Sequence, residues 1–151
     1  MSTKKPAAEN PVFDAIDKVV HRYRSAIMRE LRNSGQDLSR MEHRALGFFA
    51  RTPGATLSDM VEHSGKDKAQ LARLVRDLRE KALLEASPDT QDRRITRLNL
   101  SKAGWAVHEA TQSRHRAIQA QAVAGLSHAE CAQLTALMEK ILANLEESAA
   151  P

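Results

Sequence analysis

The sequence predicts a mainly α fold carrying one small β-hairpin. Three observations lead there. Apolar residues recur at steps of three and four over most of the 151 residues, the spacing of a helix face. Helix-start signatures such as Ser39-Arg40-Met41-Glu42 and Ser127-His128-Ala129-Glu130 stand before these runs. Only residues 83–100 switch to a two-strand pattern around a polar turn. Ala, Leu, Arg, Glu and Gln dominate the composition, which favours helix.

The length is that of one ordinary domain, read as a single domain over 1–151. A chain of this size buries about 68–70% of its unfolded surface and needs no disulfide or metal to fold. No apolar run approaches the ~18 residues of a membrane span. MSTKKPAAEN lacks the apolar stretch of a signal peptide. With Cys131 alone no internal disulfide forms, and a cytoplasmic location suits the composition.

Taken in order, Met1–Glu9 is polar and expected to fray. Asn10-Pro11 is an N-cap followed by proline at the first helical position, and Val12, Ile16, Val19, Val20, Tyr23, Ile27 and Leu31 form one face until Asn33-Ser34-Gly35 stops the helix. Ser39 opens a second helix with Ala45, Leu46, Phe48 and Phe49, ended by Thr52-Pro53-Gly54. Thr56 opens a short third helix, with Leu57, Met60 and Val61 inward, and Ser64-Gly65 closes it. A fourth helix starts at Asp67, which with Gln70 makes a further capping-box pair. Its stripe is Leu71, Leu74, Val75 and Leu78. Leu83–Ser87 and Ile95–Leu100 are the strands, joined by the turn Pro88–Arg94. Ser101 caps a fifth helix running to about Ala124, and Gly125 breaks it. The sixth carries Leu134, Leu137, Met138, Ile141, Leu142 and Leu145, before a small, loose tail at Ser148–Pro151.

A short helix, a glycine turn and a second helix with a basic outer face make a helix-turn-helix, and a hairpin directly after it is a wing. Residues 38–100 thus form a winged helix-turn-helix unit with its own core. The long striped helices at 10–34 and 101–147 flank it. They either cover one monomer core or, as the separate central core favours, pack against a second copy as dimerisation helices.

Charge follows the same division. From Lys66 to Lys102 ten Lys/Arg stand against six Asp/Glu, which is the whole +4 excess of the chain. A local basic excess points to a polyanion, although a solvated helix face explains charge alone equally well.

The run LARLVRDLREKALLEASPDTQDRRITRLNLSKAGWAV from Leu71 holds two specific pieces, Asp92-Arg93-Arg94 and Leu100-Ser101-Lys102-Ala103-Gly104. On these, with the helix order, residues 39–104 resemble the MarR family of winged-helix transcription regulators. The resemblance implies a homodimer with interlocked terminal helices, a recognition helix in the major groove and a wing in the minor groove of a pseudo-palindromic operator. It also implies a repressor released by a small lipophilic or phenolic effector bound between the dimerisation and DNA-binding regions. Three positions depart from the family pattern. Ala82 stands where glycine is common after the recognition helix, Ala86 where a basic residue is common, and His43 where an aromatic is common.

The candidate DNA-binding residues of the recognition helix are Lys68, Ala69, Gln70, Ala72, Arg73 and Arg76. Gln70 suits adenine and Arg73 guanine. Lys68 and Arg76 suit phosphates. Ala69 and Ala72 permit close approach. Arg79 reads instead as paired with Glu80 or solvated. In the wing, Arg93 and Arg94 are both minor-groove candidates. The resemblance gives Asp92 the role of bracing the wing through an arginine, for which Arg94 is placed.

His108 and His115 share a helix face and, with His43 or Glu42, are the nearest approach to a metal site. Without an HxxxH pair or a cysteine cluster they read as scattered, partly exposed histidines, and no metal or cofactor is assigned. Cys131 reads as a buried small hydrophobe. No phosphate loop, nucleophile elbow or carboxylate pair is present, so no catalytic residue is assigned. The competing functions are a winged-helix protein-interaction module and a nonspecific architectural DNA binder.

Overall fold

Helices begin at the capping residues that the sequence marks. In the computed structural model, which describes residues 10–148, the order is α1 (Pro11–Asn33), α2 (Arg40–Arg51), α3 (Leu57–Ser64), α4 (Lys68–Glu80), β1 (Leu84–Pro88), β2 (Thr96–Leu100), α5 (Lys102–Ala122) and α6 (His128–Ser148). The expectations for Met1–Glu9 and for residues 149–151 lie outside the described residues. No described helix is long and apolar enough to cross a membrane.

Asn10 caps α1 through the Val12 N–H at 3.0 Å. Ser39 and Glu42 cap α2 reciprocally, as do Thr56 and Asp59 for α3 and Ser127 and Glu130 for α6. The α4 cap differs from expectation. It runs one way, from the Gln70 N–H to Asp67 Oδ1 at 2.9 Å, and Gln70 stays exposed. β1 lies one residue later than the alternation suggests, because Leu83 is spent on the turn that ends α4, while β2 starts one residue later, at Thr96, and ends at Leu100 as expected.

The chain folds as two compact units that meet between His115 and Arg116 in the sequence. In the first unit the core gathers Ala45, Leu46, Phe48 and Phe49 of α2, Met60 of α3, Leu71, Val75 and Leu78 of α4, and Leu84, Leu98 and Leu100 of the hairpin. Phe49, Leu46, Leu71 and Leu78 are fully buried. Each such side chain contributes about 1.5–3 kcal/mol. β1 and β2 pair antiparallel with Leu84 opposite Leu100 and Pro88 opposite Thr96. The α2–α3 connection adds to this hairpin, since Gly54 N–H donates to Leu98 O and Leu98 N–H to Ala55 O. The second unit holds the end of α5, a turn through Gly125 (φ 89°), and α6. No residue of α6 is buried, and Leu134, Leu137, Leu142 and Leu145 are exposed. Cys131 is accordingly half-buried rather than buried.

The junction from α4 to α5 is tight. Ala82 N–H donates to Arg79 O and Leu83 N–H to Leu78 O, the pairing that ends a helix on a left-handed residue. That residue is Ala82, at φ 56°. Ser101 Oγ donates to Ala82 O at 2.6 Å and accepts from Gly104 N–H at 3.0 Å. A Cβ at Gly104 would collide with the Leu83 carbonyl.

These two positions should respond in opposite directions. Ala82→Gly relieves the left-handed alanine and, after the greater unfolded-state freedom of glycine, gains up to about 1 kcal/mol. Gly104→Ala should cost about 3 kcal/mol because backbone must move. Urea unfolding of the two variants checks both signs.

Candidate nucleic-acid interface

The core grips α4 by one stripe, so its opposite side faces out. At 3.6 residues per turn, Ala69, Arg73 and Arg76 fall on the line opposite Leu71, Val75 and Leu78, with Lys68 and Gln70 flanking it. Lys68, Ala69, Gln70, Arg73 and Arg76 are exposed and Ala72 is half-buried. Arg76 Nε lies 3.9 Å from Glu80 and 4.0 Å from Asp77. At that reach, between exposed side chains, the contact contributes little and gives way to a competing anion. Of the two alternatives expected for Arg79, pairing with Glu80 or solvation, the structure shows solvation, since Glu80 stands beside Arg76 and Arg79 is exposed. Among the described residues Lys68, Arg73, Arg79 and Arg93 have no ion-pair partner.

The wing turn is built on two aspartates. Asp89 Oδ1 accepts from Gln91 N–H (2.8 Å) and Asp92 N–H (3.0 Å), while its Oδ2 meets Arg97 Nε at 2.7 Å. The backbone bonds first, then Arg97, hold this carboxyl down at a pKa of about 2. Arg97 NH1 also reaches Gly54 O at 3.3 Å, tying the wing to the α2–α3 connection. Asp92 takes Arg94 in a fork, at 3.0 Å to Nε and 2.9 Å to NH2, and accepts the Arg94 backbone N–H as well. The Arg94 side chain bonds first, and then that backbone bond, lower the pKa of Asp92. Arg94 is thus engaged within the turn, while the neighbouring Arg93 is exposed and unpaired.

Asp89 and Arg97 are not among the sequence candidates, yet they anchor the wing to the rest of the unit. Their signal is an aspartate opening the turn and an arginine eight residues on. It becomes readable only once the strand register sets the two on one side.

A cleft of about 290 Å³ lies behind this surface, bordered by α1, α2, α3 and α5 and by Leu71 of α4. His43, His63, His108 and His115 all line it, so these histidines converge instead of being scattered. Burial lowers the pKa of His43, His108 and His115. The His43 and His115 Nε2 atoms are closed off without a partner. The described residues hold no group of three or more His, Cys, Asp or Glu that could hold a metal ion.

Residues 36–95, which contain the helix-turn-helix and most of the wing, match the sequence profile of the MarR family. This segment belongs to the MarR family. Among similar proteins, the HTH-type transcriptional regulator PetP of Rhodobacter capsulatus is 34% identical over 97 residues, covering 59% of this chain and 58% of PetP. The chain thus aligns with little more than half of that relative's length. The HTH-type transcriptional repressor IacR of Pseudomonas putida is 23% identical over 134 residues, 89% of this chain and 79% of IacR. FabT of Streptococcus pneumoniae, solved in complex with DNA, superposes with a TM-score of 0.72 at 21% identity, covering 89% of this chain and 98% of FabT. That likeness bears on the fold. Both PetP and IacR are named as HTH-type transcription regulators.

Because the folded Asp89 carboxyl titrates below its unfolded value, its contribution is complete above about pH 4 and is lost as pH falls towards 2. A carbon-detected NMR titration should place its midpoint near pH 2. A midpoint near pH 4 would mean that the turn amides and Arg97 do not hold it.

Proposed function

We propose that the chain is a homodimeric, sequence-specific DNA-binding transcription regulator that acts as a repressor in the cytoplasm. The observation that carries this reading is the outward face of α4. It presents Lys68, Gln70 and Arg73 without an ion-pair partner for either cation, in the same unit as a wing that leaves Arg93 free. Basic and amide side chains projecting from a rigid helix are what base-edge recognition needs.

In this reading Gln70 and Arg73 meet base edges, Lys68 and Arg76 meet phosphates, and Ala69 and Ala72 keep the helix surface low enough to enter the major groove. The Asp92 fork supports a turn-shaping role for Arg94 and, with it, Arg93 as the arginine that enters the minor groove. The exposed leucines of α6, together with Val12, Phe13, Val19 and Val20 of α1, support a second copy as their cover. Two protomers then present two recognition helices about 34 Å apart, one turn of DNA, to a pseudo-palindromic operator. The naming of IacR as a repressor and the binding of FabT to DNA support the reading by family likeness. A nonspecific architectural binder would show no dependence on Gln70 or Arg73, and an interaction module would have no palindromic site.

The cleft favours a ligand-controlled form of this function. Ile27, Leu31, Met41 and Phe48 give it apolar walls and the histidines a polar side, which suits a small phenolic or lipophilic effector.

Two measurements test the reading. Affinity for a duplex selected from random DNA should fall by about three orders of magnitude or more between 50 and 200 mM salt if some six or more phosphates are neutralised. A flat response would sink DNA binding altogether. Arg73→Ala should flatten discrimination among operator variants about tenfold, as the loss of one bidentate base contact does. A uniform loss on every sequence would make Arg73 a phosphate contact instead.

A further inference from the structure

The C-terminal end of α4 is held by a polar tie that the DNA-contacting residues do not include. Lys81, the residue capping that end, places Nζ 2.9 Å from Glu42 Oε1 and 2.6 Å from the Asp37 carbonyl. The other Glu42 oxygen, Oε2, accepts the Ser39 N–H at 2.6 Å and so caps α2. One carboxylate therefore joins the end of α4 to the start of α2, across 39 residues of sequence.

The glutamate is 6% exposed. A carboxylate that buried is stable only when paired and hydrogen-bonded. Burial pushes its pKa up, but the Lys81 and Ser39 bonds outweigh that and leave it below the ordinary value. The Lys81 ammonium is correspondingly raised, first by its bond to Glu42. Each charge also sits at the favourable end of its own helix, the carboxylate in the first turn of α2 and the ammonium at the end of α4.

Apolar contact alone leaves α4 a freedom that this tie removes. The stripe Leu71, Val75 and Leu78 holds the helix against the core, but hydrophobic contact is non-directional and resists tilt weakly. A directional ion pair at one end fixes it. Gln70 and Arg73 lie about 12–17 Å along the helix from Lys81. A change of about 5° in the helix direction moves their side chains by about 1 Å relative to Lys81, enough to spoil a bidentate hydrogen bond.

We propose that Glu42 and Lys81 are positioning residues for sequence recognition. They fix the tilt of α4 at which Gln70 and Arg73 reach base edges, without touching DNA themselves. The proposal rests on the DNA-binding reading for its functional half and on geometry alone for its structural half, so the test measures both.

Residual dipolar couplings of the backbone amides report the orientation of α4 relative to α2 in the DNA-free full-length protein. Fluorescence anisotropy reports affinity for the selected duplex and for a random-sequence duplex. In Lys81→Met and Glu42→Gln the α4 couplings should change, and the ratio of selected to random affinity should fall about tenfold, with random-duplex affinity nearly kept in Glu42→Gln. Lys81→Arg should restore the ratio. The double variant Glu42→Gln/Lys81→Met, which buries no lone charge, should lose no more than either single change and serves where a single variant unfolds. Unchanged α4 couplings in the double variant would overturn the proposal, whatever DNA does. So would a preserved ratio in variants whose wild type discriminates. Shifted couplings in a protein whose wild type prefers no sequence would uphold the tie as positioning α4 and bring down the DNA reading instead.

Discussion

The backbone that leaves α4 and the backbone that enters α5 pass so close that a Cβ at Gly104 would have no room. Ala82 turns left-handed, Leu83 drops its side chain into the core, and Ser101 bridges both segments while Gly104 leaves room for the Leu83 carbonyl. This crossing joins the end of α4, the hairpin and the start of α5. If α5 stood farther away, Leu100 and Leu83 would lose contact with the core that seats α4. The strain carried by Ala82 is tolerated because hydrogen bonds on either side of it leave the chain no other course.

Electrostatics divides the basic residues into two groups. Arg97 and Lys81 serve the fold, each bound to a carboxylate and to a backbone carbonyl from a distant segment. Arg94 is spent within its own turn, on Asp92. Lys68, Arg73 and Arg93 remain on the outer surface without such ties. The sequence excess of positive charge between Lys66 and Lys102 therefore overstates what is free to meet an anion. The net charge counts all these cations alike, whereas their partners decide which of them an anion can reach. A paired, half-buried arginine must first lose its carboxylate, so the unpaired ones define the available potential.

Much of this is legible in the sequence, for reasons that differ by element. Helix starts are readable because capping is local: Asn10, Ser39, Thr56 and Ser127 bond within three residues. The α4 stripe is readable because its period matches the helix. What escapes is non-local. The Glu42–Lys81 tie spans 39 residues and the Arg97–Gly54 bond 43. Their partners look, in sequence, like an ordinary capping glutamate and an ordinary strand arginine. The histidine cluster escapes for the same reason, since His43 and His115 approach only when α2 and α5 pack. The choice between Arg93 and Arg94 needs side-chain geometry, because their positions in the turn differ by a single residue.

The second helix stands at the centre of this arrangement because its consecutive residues face different neighbours. Glu42 reaches the end of α4, while Met41, His43 and Arg44 line the cleft. Successive residues on a helix point about 100° apart, so one turn of α2 walls the cleft on one side and holds α4 on another. The backbone between them is rigid, capped by Ser39 and Glu42 itself. A group that pressed on the cleft wall would thus load the Glu42–Lys81 tie directly. It would not need a relay through the apolar core, whose close packing distributes displacement over many side chains. The cleft and α4 thus share one short, stiff element, α2, and Leu71 of α4 also meets the cleft directly.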